Sequence, residues 1–209
     1  MWRDDQQSPA RLATKRVIDV VAACMLIVFF GPLLLVAAAA VAATSPGPVV
    51  FRQERVGKDG RPFIMWKFRT MVADQSSRLA LSDIYDHGRA LLLKRVGDPR
   101  VTGVGRVLRR TSIDELPQLF NVLVGDMSLV GPRPLMAYML EPYRELSDER
   151  SRMRPGMTGL WQVSDRSTCD SAPAMAPADL GYVRRFSLLL DARILLATIP
   201  ACLSGKGAF

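Results

Sequence analysis

From Val20 to Ala43 the chain runs 24 residues without a charged side chain, and no other stretch restricts its folding as strongly. As a helix this run would be ~36 Å long at ~1.5 Å per residue, enough to cross the hydrocarbon core of a bilayer. Gly31-Pro32 stands in its middle. Proline removes an intrahelical hydrogen bond and its ring collides with the preceding turn, so a break or bend is expected there. Both flanks are basic: Arg11, Lys15 and Arg16 precede the run, and Arg52, Arg55, Lys58, Arg61, Lys67 and Arg69 follow it. Basic flanks prefer the cytoplasmic face. A helix that enters, turns at Gly31-Pro32 and returns places both flanks on that face. A plain transmembrane anchor also fits the length, and on these residues the two topologies stay open. A secretory signal fits poorly, because its apolar run is only roughly 7–15 residues long.

The chain has 209 residues, enough for one domain with its own core. Its formal net charge is +8, and only five of its 28 basic residues are lysines. Arginine makes planar, bidentate contacts with phosphate that lysine cannot, so an anionic partner is expected. Cys24, Cys169 and Cys202 show no metal spacing and no disulfide framework, which points to a reducing compartment. His87 is the single histidine, which excludes a multi-histidine metal centre and disfavours a Ser–His–Asp triad. There is no Gly-x-x-x-x-Gly-Lys phosphate loop, and Gly103-Val104-Gly105 lacks the third glycine of a dinucleotide fingerprint. No Gly-flanked aromatic RNA motif and no helix-turn-helix signature accompanies the arginines, so nucleic acid is not the expected partner.

Three segments follow: a polar stretch 1–16, an apolar helix 17–44 long enough for a membrane, and a domain 45–209 of α/β class. Ser45-Pro46-Gly47-Pro48 closes the membrane segment. Strands over 49–51 and 63–68 pair as a hairpin across Gly57-Lys58-Asp59-Gly60. The spacing predicts an amphipathic helix over 72–95, a basic stretch 100–110 loosened by Gly103 and Gly105, and a short helix 116–123 capped by Gly125. A strand over 127–130 enters Gly131-Pro132-Arg133-Pro134. Residues 136–152 are helical with an interruption at Pro142, 154–156 form a turn, 164–177 a loop, and 179–202 a final helix.

The densest polar cluster is Arg109-Arg110-Thr111-Ser112-Ile113-Asp114-Glu115-Leu116-Pro117-Gln118. Pro117 suits the first turn of a helix, which places the two carboxylates at its start. Ser112 and Glu115 have capping-box spacing, so a cap is one reading. Chemistry is the other: one carboxylate acts on phosphorus and the other helps hold Mg²⁺, which needs no histidine. Arg52, Arg55, Arg69, Arg133 and Arg154, each near a Gly or Pro turn, are candidate phosphate ligands alongside Arg109. A non-catalytic membrane adaptor and a tethered nucleic-acid binder are the rival classes.

These residues carry a family resemblance. Lys15-Arg16-Val17-Ile18-Asp19, the run from Ser45 through Gly57, and Lys67-Phe68-Arg69-Thr70-Met71 are part of it. So are Leu108 through Leu123, Gly125 through Pro134, and Arg154 through Val163. The chain resembles the bacterial sugar transferases of the monotopic polyprenyl-phosphate phosphoglycosyl transferase family, in its minimal form. That resemblance implies a small membrane-associated α/β catalytic domain with an N-terminal re-entrant helix broken at Gly31 and Pro32 and amphipathic interfacial helices. It implies the cytoplasmic face of the bacterial inner membrane, contact with its phospholipid, and room for a homodimer. It implies transfer of a sugar-1-phosphate from a UDP-sugar to polyprenyl (undecaprenyl) phosphate, with Asp114 as nucleophile and Glu115 on Mg²⁺. The sequence departs from the family pattern at Gly31, at Asp165, across 167–177 and across 185–191, which bears on the choice of sugar. Its ending, Lys206-Gly207-Ala208-Phe209, is similar to members that transfer a hexose phosphate for exopolysaccharide.

Re-entry has a direct test. Cysteines placed at the two ends of the chain should both be labelled from the cytoplasmic side of intact and opened cells, and labelling from opposite faces would refute it. Pro32→Leu should shift a fraction of molecules toward a span, because it restores a continuous helix.

Overall fold

The computed structural model describes residues 8–72, 85–86, 89–90, 98–164 and 171–204. It is a mixed helix-and-sheet fold with one long apolar N-terminal helix, α1 (Pro9–Thr44). Ser8 Oγ accepts from the Arg11 N–H, and Pro9 occupies the first turn, where its missing N–H costs nothing. The boundary expected at residue 16 falls inside this helix. Gly31 and Pro32 also lie within it, with no gap in helical assignment. One proline deletes one backbone hydrogen bond, and a side chain at Gly31 would meet nothing within 4 Å. The helix therefore accommodates the pair without ending.

Both ends of α1 are tied to the rest of the chain. Lys15 Nζ donates to Asp191 Oδ2 at 2.6 Å and lies 3.5 Å from Asp19 Oδ1, with all three residues buried. Asp19 accepts from the Ser128 hydroxyl at 2.7 Å and from the Leu129 N–H at 3.2 Å. At the far end, Arg69 donates to the carbonyls of Val41, Ser45 and Pro48 and to Ser45 Oγ. There Ala37 and Val41 pack with Phe68 and Leu108. Between these anchors Met25, Val28, Phe29, Leu35 and Val36 are exposed, and α1 is long and apolar enough to cross a membrane.

The expected hairpin is present, with a longer first strand. β1 (Val50–Val56) pairs antiparallel with β2 (Pro62–Phe68), from Val50↔Phe68 to Val56↔Pro62. Asp59 and Gly60 turn the chain at positive φ. The helix expected over 72–95 is not what its described residues form: β3 (Tyr85–Asp86) and β4 (Arg89–Ala90) make a short antiparallel ladder. His87 and the remainder of 73–97 lie outside the described residues, as does Cys169. The stretch expected to be loosened by glycines is α2 (Gly103–Arg110). Thr102 caps it by accepting from the Gly105 N–H at 2.8 Å, and a Cβ on Gly105 would lie 2.1 Å from the Thr70 carbonyl oxygen. That glycine serves close packing against the end of the hairpin rather than flexibility.

α3 (Gln118–Val124) ends on Gly125 at φ 99°, as expected of a left-handed C-cap. β5 (Ser128–Val130) pairs in parallel with β6 (Gly156–Thr158). Between them lie α4 (Ala137–Leu140) and α5 (Arg144–Arg150), separated around Pro142. After α6 (Leu160–Ser164) come α7 (Ala172–Arg184) and α8 (Leu188–Ser204). Two expectations change here. The loop expected as far as Pro177 is helical from Ala172, because Pro173 sits in the first turn. The single helix expected over 179–202 is two, because the chain turns at Phe186, which is fully buried, and Ser187 Oγ accepts from the Leu190 N–H at 3.1 Å. The main core lies where β2, α3, β5, α7 and α8 meet, around Leu119, Val122, Met127, Tyr182, Phe186 and Ile194.

Replacing Lys15 by Met leaves Asp19 and Asp191 buried without their cation. That should cost about 3–5 kcal/mol, read as a fall in melting temperature in detergent. Lys15→Met/Asp191→Leu, which replaces the pair by apolar groups, should recover a large part of the loss.

Candidate active site

The Asp-Glu pair does not open an α-helix. Between α2 and α3 the chain passes through Ser112 in the left-handed region, φ 57° and ψ 16°, and then a 3-10 turn, Ile113–Glu115. A left-handed serine costs on the order of 1–3 kcal/mol. Here it redirects the chain so that Asp114 turns inward: Asp114 is 8% exposed, while Glu115 is only partly buried. Ser112 makes no side-chain cap, and its buried Oγ has no hydrogen-bond partner. The capping box that the spacing allows is therefore not formed.

Basic groups from two elements converge on this pair. Lys67 on β2 brings Nζ to 3.0 Å from Glu115 Oε1. It is held there because Asn121 on α3 clasps the same strand: its Oδ1 accepts from the Trp66 N–H at 3.0 Å and its Nδ2 donates to the Ile64 carbonyl at 2.7 Å. Arg109, at the end of α2, donates through Nε to Thr70 Oγ1 at 2.9 Å and places its charge within reach of Asp114. Burial, reinforced by the charge of Glu115, pushes the Asp114 carboxyl up to about 6, against the opposing pull of Lys67 and Arg109.

A second basic group adjoins the first. Arg55 is buried on β1 and donates to the Pro134 carbonyl and to Gln53 Oε1, while its buried Nε has no hydrogen-bond partner. The Arg133 guanidinium lies 4.9 Å from the centre of the Trp161 ring. Burial, and then the charge of Arg133, lower Arg55 to about 10, and Tyr138 and Glu115 oppose that shift. The mutual influence links Arg55, Arg133 and Glu115 into one electrostatic neighbourhood. The loop carrying Arg133 has little freedom. Two of its four residues are prolines, and Gly131 meets Gly156 so closely that a Cβ on Gly156 would lie 2.1 Å from the Gly131 nitrogen.

Of the expected phosphate ligands, the structure brings Arg109 near Asp114 and Arg55 near Glu115, sets Arg133 beside Arg55, and directs the others elsewhere. Arg69 is committed to the C-terminal carbonyls of α1. Arg154 donates through Nε to the Gly125 carbonyl at 2.8 Å, at the opposite end of α3 from Asp114. Arg16 reaches the same end of α3 through the Val122 and Leu123 carbonyls. Arg52 is exposed on β1. Lys67, Asn121 and Trp161 belong to the site's surroundings and carry no mark in the sequence beyond their place in runs already quoted. Among the described residues no group of three or more His, Cys, Asp or Glu could hold a metal. Two adjacent carboxylates match a cation that takes its remaining ligands from water and substrate phosphate, which is the habit of Mg²⁺.

Comparison with known proteins gives the family of the chain. The family model for bacterial sugar transferases matches residues 10–205. An undecaprenyl-phosphate galactose phosphotransferase of Salmonella typhimurium is 44% identical over 167 residues, covering 78% of this chain and 35% of that protein. A UDP-glucose:undecaprenyl-phosphate glucose-1-phosphate transferase of Escherichia coli is 38% identical over 202 residues, covering 93% of this chain and 41% of that protein. The chain thus spans well under half the length of these two. The exopolysaccharide production protein ExoY of Rhizobium meliloti is nearer in size: 42% identity over 201 residues covers 93% of this chain and 88% of that protein.

The raised Asp114 carboxyl has a measurable consequence. Its proton is held more tightly in the folded than in the unfolded chain, so the stability it contributes is present at low pH and is lost as pH rises through about 6. Asp114→Asn, which cannot ionise, should melt above the original protein at pH 8. Its advantage should shrink as the pH is lowered through 6, as read by thermal unfolding in detergent without added divalent cation.

Proposed function

The chain belongs to the bacterial sugar transferase family, and from that premise we propose that it transfers a hexose-1-phosphate from a UDP-hexose to polyprenyl phosphate, releasing UMP. The observation that carries this reading is a desolvated carboxylate, Asp114, set among Lys67, Arg109 and Glu115 and serving no cap. The carboxylate oxygen attacks the sugar-bearing phosphorus of the donor. The bond from that phosphorus to the bridging oxygen breaks, and UMP leaves with its electron pair. The resulting acyl phosphate is then attacked by an oxygen of the lipid phosphate, which takes the phosphosugar and restores the Asp114 carboxylate.

The remaining residues act on charge. The donor pyrophosphate and the incoming lipid phosphate are both anionic. Arg133 is assigned to bind the pyrophosphate in bidentate fashion with the Arg55 charge beside it, and Arg109 and Lys67 offset the charge that develops on the leaving UMP. Glu115, beside Asp114, is the carboxylate suited to Mg²⁺, which when bound reduces the repulsion between nucleophile and pyrophosphate. The relatives named for glucose and galactose transfer, together with the exopolysaccharide protein, support a hexose donor and a role in starting exopolysaccharide.

The acceptor's phosphate lies at the level of the lipid headgroups, so the site belongs there too. The two anchored ends of α1 support re-entry from a single face. A straight span would hold its ends on opposite sides of a core ~30 Å thick, whereas Asp19 and Val41 both contact the same domain. Exposed Val107 on α2, Val124 on α3, and Leu196 and Ile199 on α8 are suited to the interface. We read the catalytic domain as lying on the cytoplasmic side of the inner membrane, the face that basic flanks prefer.

The deciding experiment uses UDP-hexose and Mg²⁺ without lipid acceptor. The protein should gain the mass of a hexose phosphate and release one UMP. Asp114→Asn should form no adduct while remaining folded, Glu115→Gln should weaken the response to Mg²⁺, and chelation should stop turnover. An adduct on Asp114→Asn, or near-normal turnover by it, would return the carboxylate pair to a structural role and favour direct attack by the lipid phosphate. A panel of UDP-sugars assayed for UMP release then identifies the donor.

A further inference from the structure

Arg133 is fixed by groups that never meet the donor. Its carbonyl accepts from Arg150 Nη2 at 2.7 Å. Arg150 also donates through Nε and Nη2 to Asp179 Oδ2, at 3.0 and 2.5 Å. Asp179 also lies close enough to the Arg133 backbone for that N–H to favour its ionised form, against the effect of burial. The ion pair therefore holds the Arg133 backbone through its carbonyl, with Asp179 fixing the Arg150 fork that reaches it. Arg150 is 4% and Asp179 1% exposed, between α5 and α7. In such a place an apolar pair of similar volume would hold two helices together as well or better. What an apolar pair cannot do is bind the polar backbone of a loop residue and set its orientation.

The surrounding loop makes this the remaining degree of freedom. Pro132 and Pro134 fix φ on either side of Arg133, and the contact of Gly131 with Gly156 fixes the loop's origin. The guanidinium lies over Trp161, itself fully buried. We propose that Arg150 and Asp179 are positioning residues, which hold the Arg133 backbone so that its guanidinium, stacked on Trp161, meets the donor pyrophosphate with both of its terminal nitrogens. This rests on the reading of Arg133 as a donor-phosphate ligand.

The test uses the full chain in detergent, with donor KM and kcat read from UMP release and folding read from thermal melting. Arg150→Lys keeps the charge opposite Asp179, but an ammonium cannot fork to both the carboxylate and the Arg133 carbonyl. It should raise donor KM about tenfold with kcat changed less than about threefold, the pattern of lost ground-state binding. Because the effect passes through Arg133, Arg133→Lys/Arg150→Lys should be no worse than Arg133→Lys alone. If Arg150→Lys fails to fold, Arg150→Met/Asp179→Leu replaces it. That variant should melt near the original protein and still carry the raised KM, since packing is restored and the grip on the backbone is not. An unchanged KM in either folded variant, or losses that multiply in the double mutant, overturns the proposal while leaving the site reading in place. An unchanged KM in Arg133→Lys itself overturns the site reading, and the positioning proposal with it.

Discussion

A single buried charge network decides how the apolar helix and the rest of the chain become one structure. Lys15 on α1 stands between Asp19 on the same helix and Asp191 on α8, and the Tyr182 hydroxyl donates to Asp191 at 2.7 Å. Asp19 also takes the Ser128 hydroxyl and the Leu129 N–H at the start of β5. A buried carboxylate is tolerated only when its oxygens are paired and hydrogen-bonded, and here both carboxylates are. The consequence reaches the site. β5 runs directly into Gly131-Pro132-Arg133-Pro134, so the strand that delivers Arg133 is held by α1 itself.

Arginine is the second economy of the molecule, and its residues divide by what their guanidiniums find nearby. The last carbonyls of a helix lack intrahelical partners and carry partial negative charge. Arg69 satisfies them at the end of α1. Arg16 and Arg154 do so around the end of α3, where they lie close enough that Arg154 helps lower Arg16 from the usual arginine value, after burial. Arg109 and Arg55 instead lie near the carboxylates, and Arg133 lies beside Arg55. Arg154-Pro155-Gly156 and Gly131-Pro132-Arg133-Pro134 look alike as turn-borne arginines. Their difference is set by carbonyls and rings many residues away, which no local pattern encodes.

The same distinction explains what could be read from the residues. The hairpin, the Gly125 cap, the strand before Gly131 and the interruption at Pro142 follow from local rules, and those rules act over a few residues. The long helix was legible from its missing charges, but its start at Pro9 was not, because Ser8 and Pro9 form a start signal that lies well upstream of the apolar run. The division between α7 and α8 depends on Phe186 entering the core, which is a tertiary event. Asp114 and Glu115 stood out through their neighbours and through family resemblance. Lys67 did not, because its role depends on a strand pairing and on Asn121, 54 positions away along the chain, gripping that strand. The capping-box reading failed for a local reason of its own: Ser112 takes the left-handed conformation, and its hydroxyl cannot reach forward to the turn.

The site's electrostatics show why it needs both burial and cations. Burial alone would drive the Asp114 carboxyl far above its ordinary range and leave it protonated, hence inert as a nucleophile, at neutral pH. Cations alone would depress it, and a carboxylate stabilised in that way is a poorer nucleophile. With Lys67 and Arg109 opposing burial and Glu115, the group rests at about 6. It is then ionised at neutral pH yet only weakly stabilised as an anion. Such a balance is sensitive to any further charge brought close. Under the proposed mechanism a cation beside Glu115 would relieve the carboxylate repulsion, and an incoming pyrophosphate would reduce the pull of Lys67 and Arg109 on Asp114. Lys67 and Arg109, which under that mechanism face the leaving nucleotide, also set the basicity of Asp114, so donor binding and activation are coupled through those two cations.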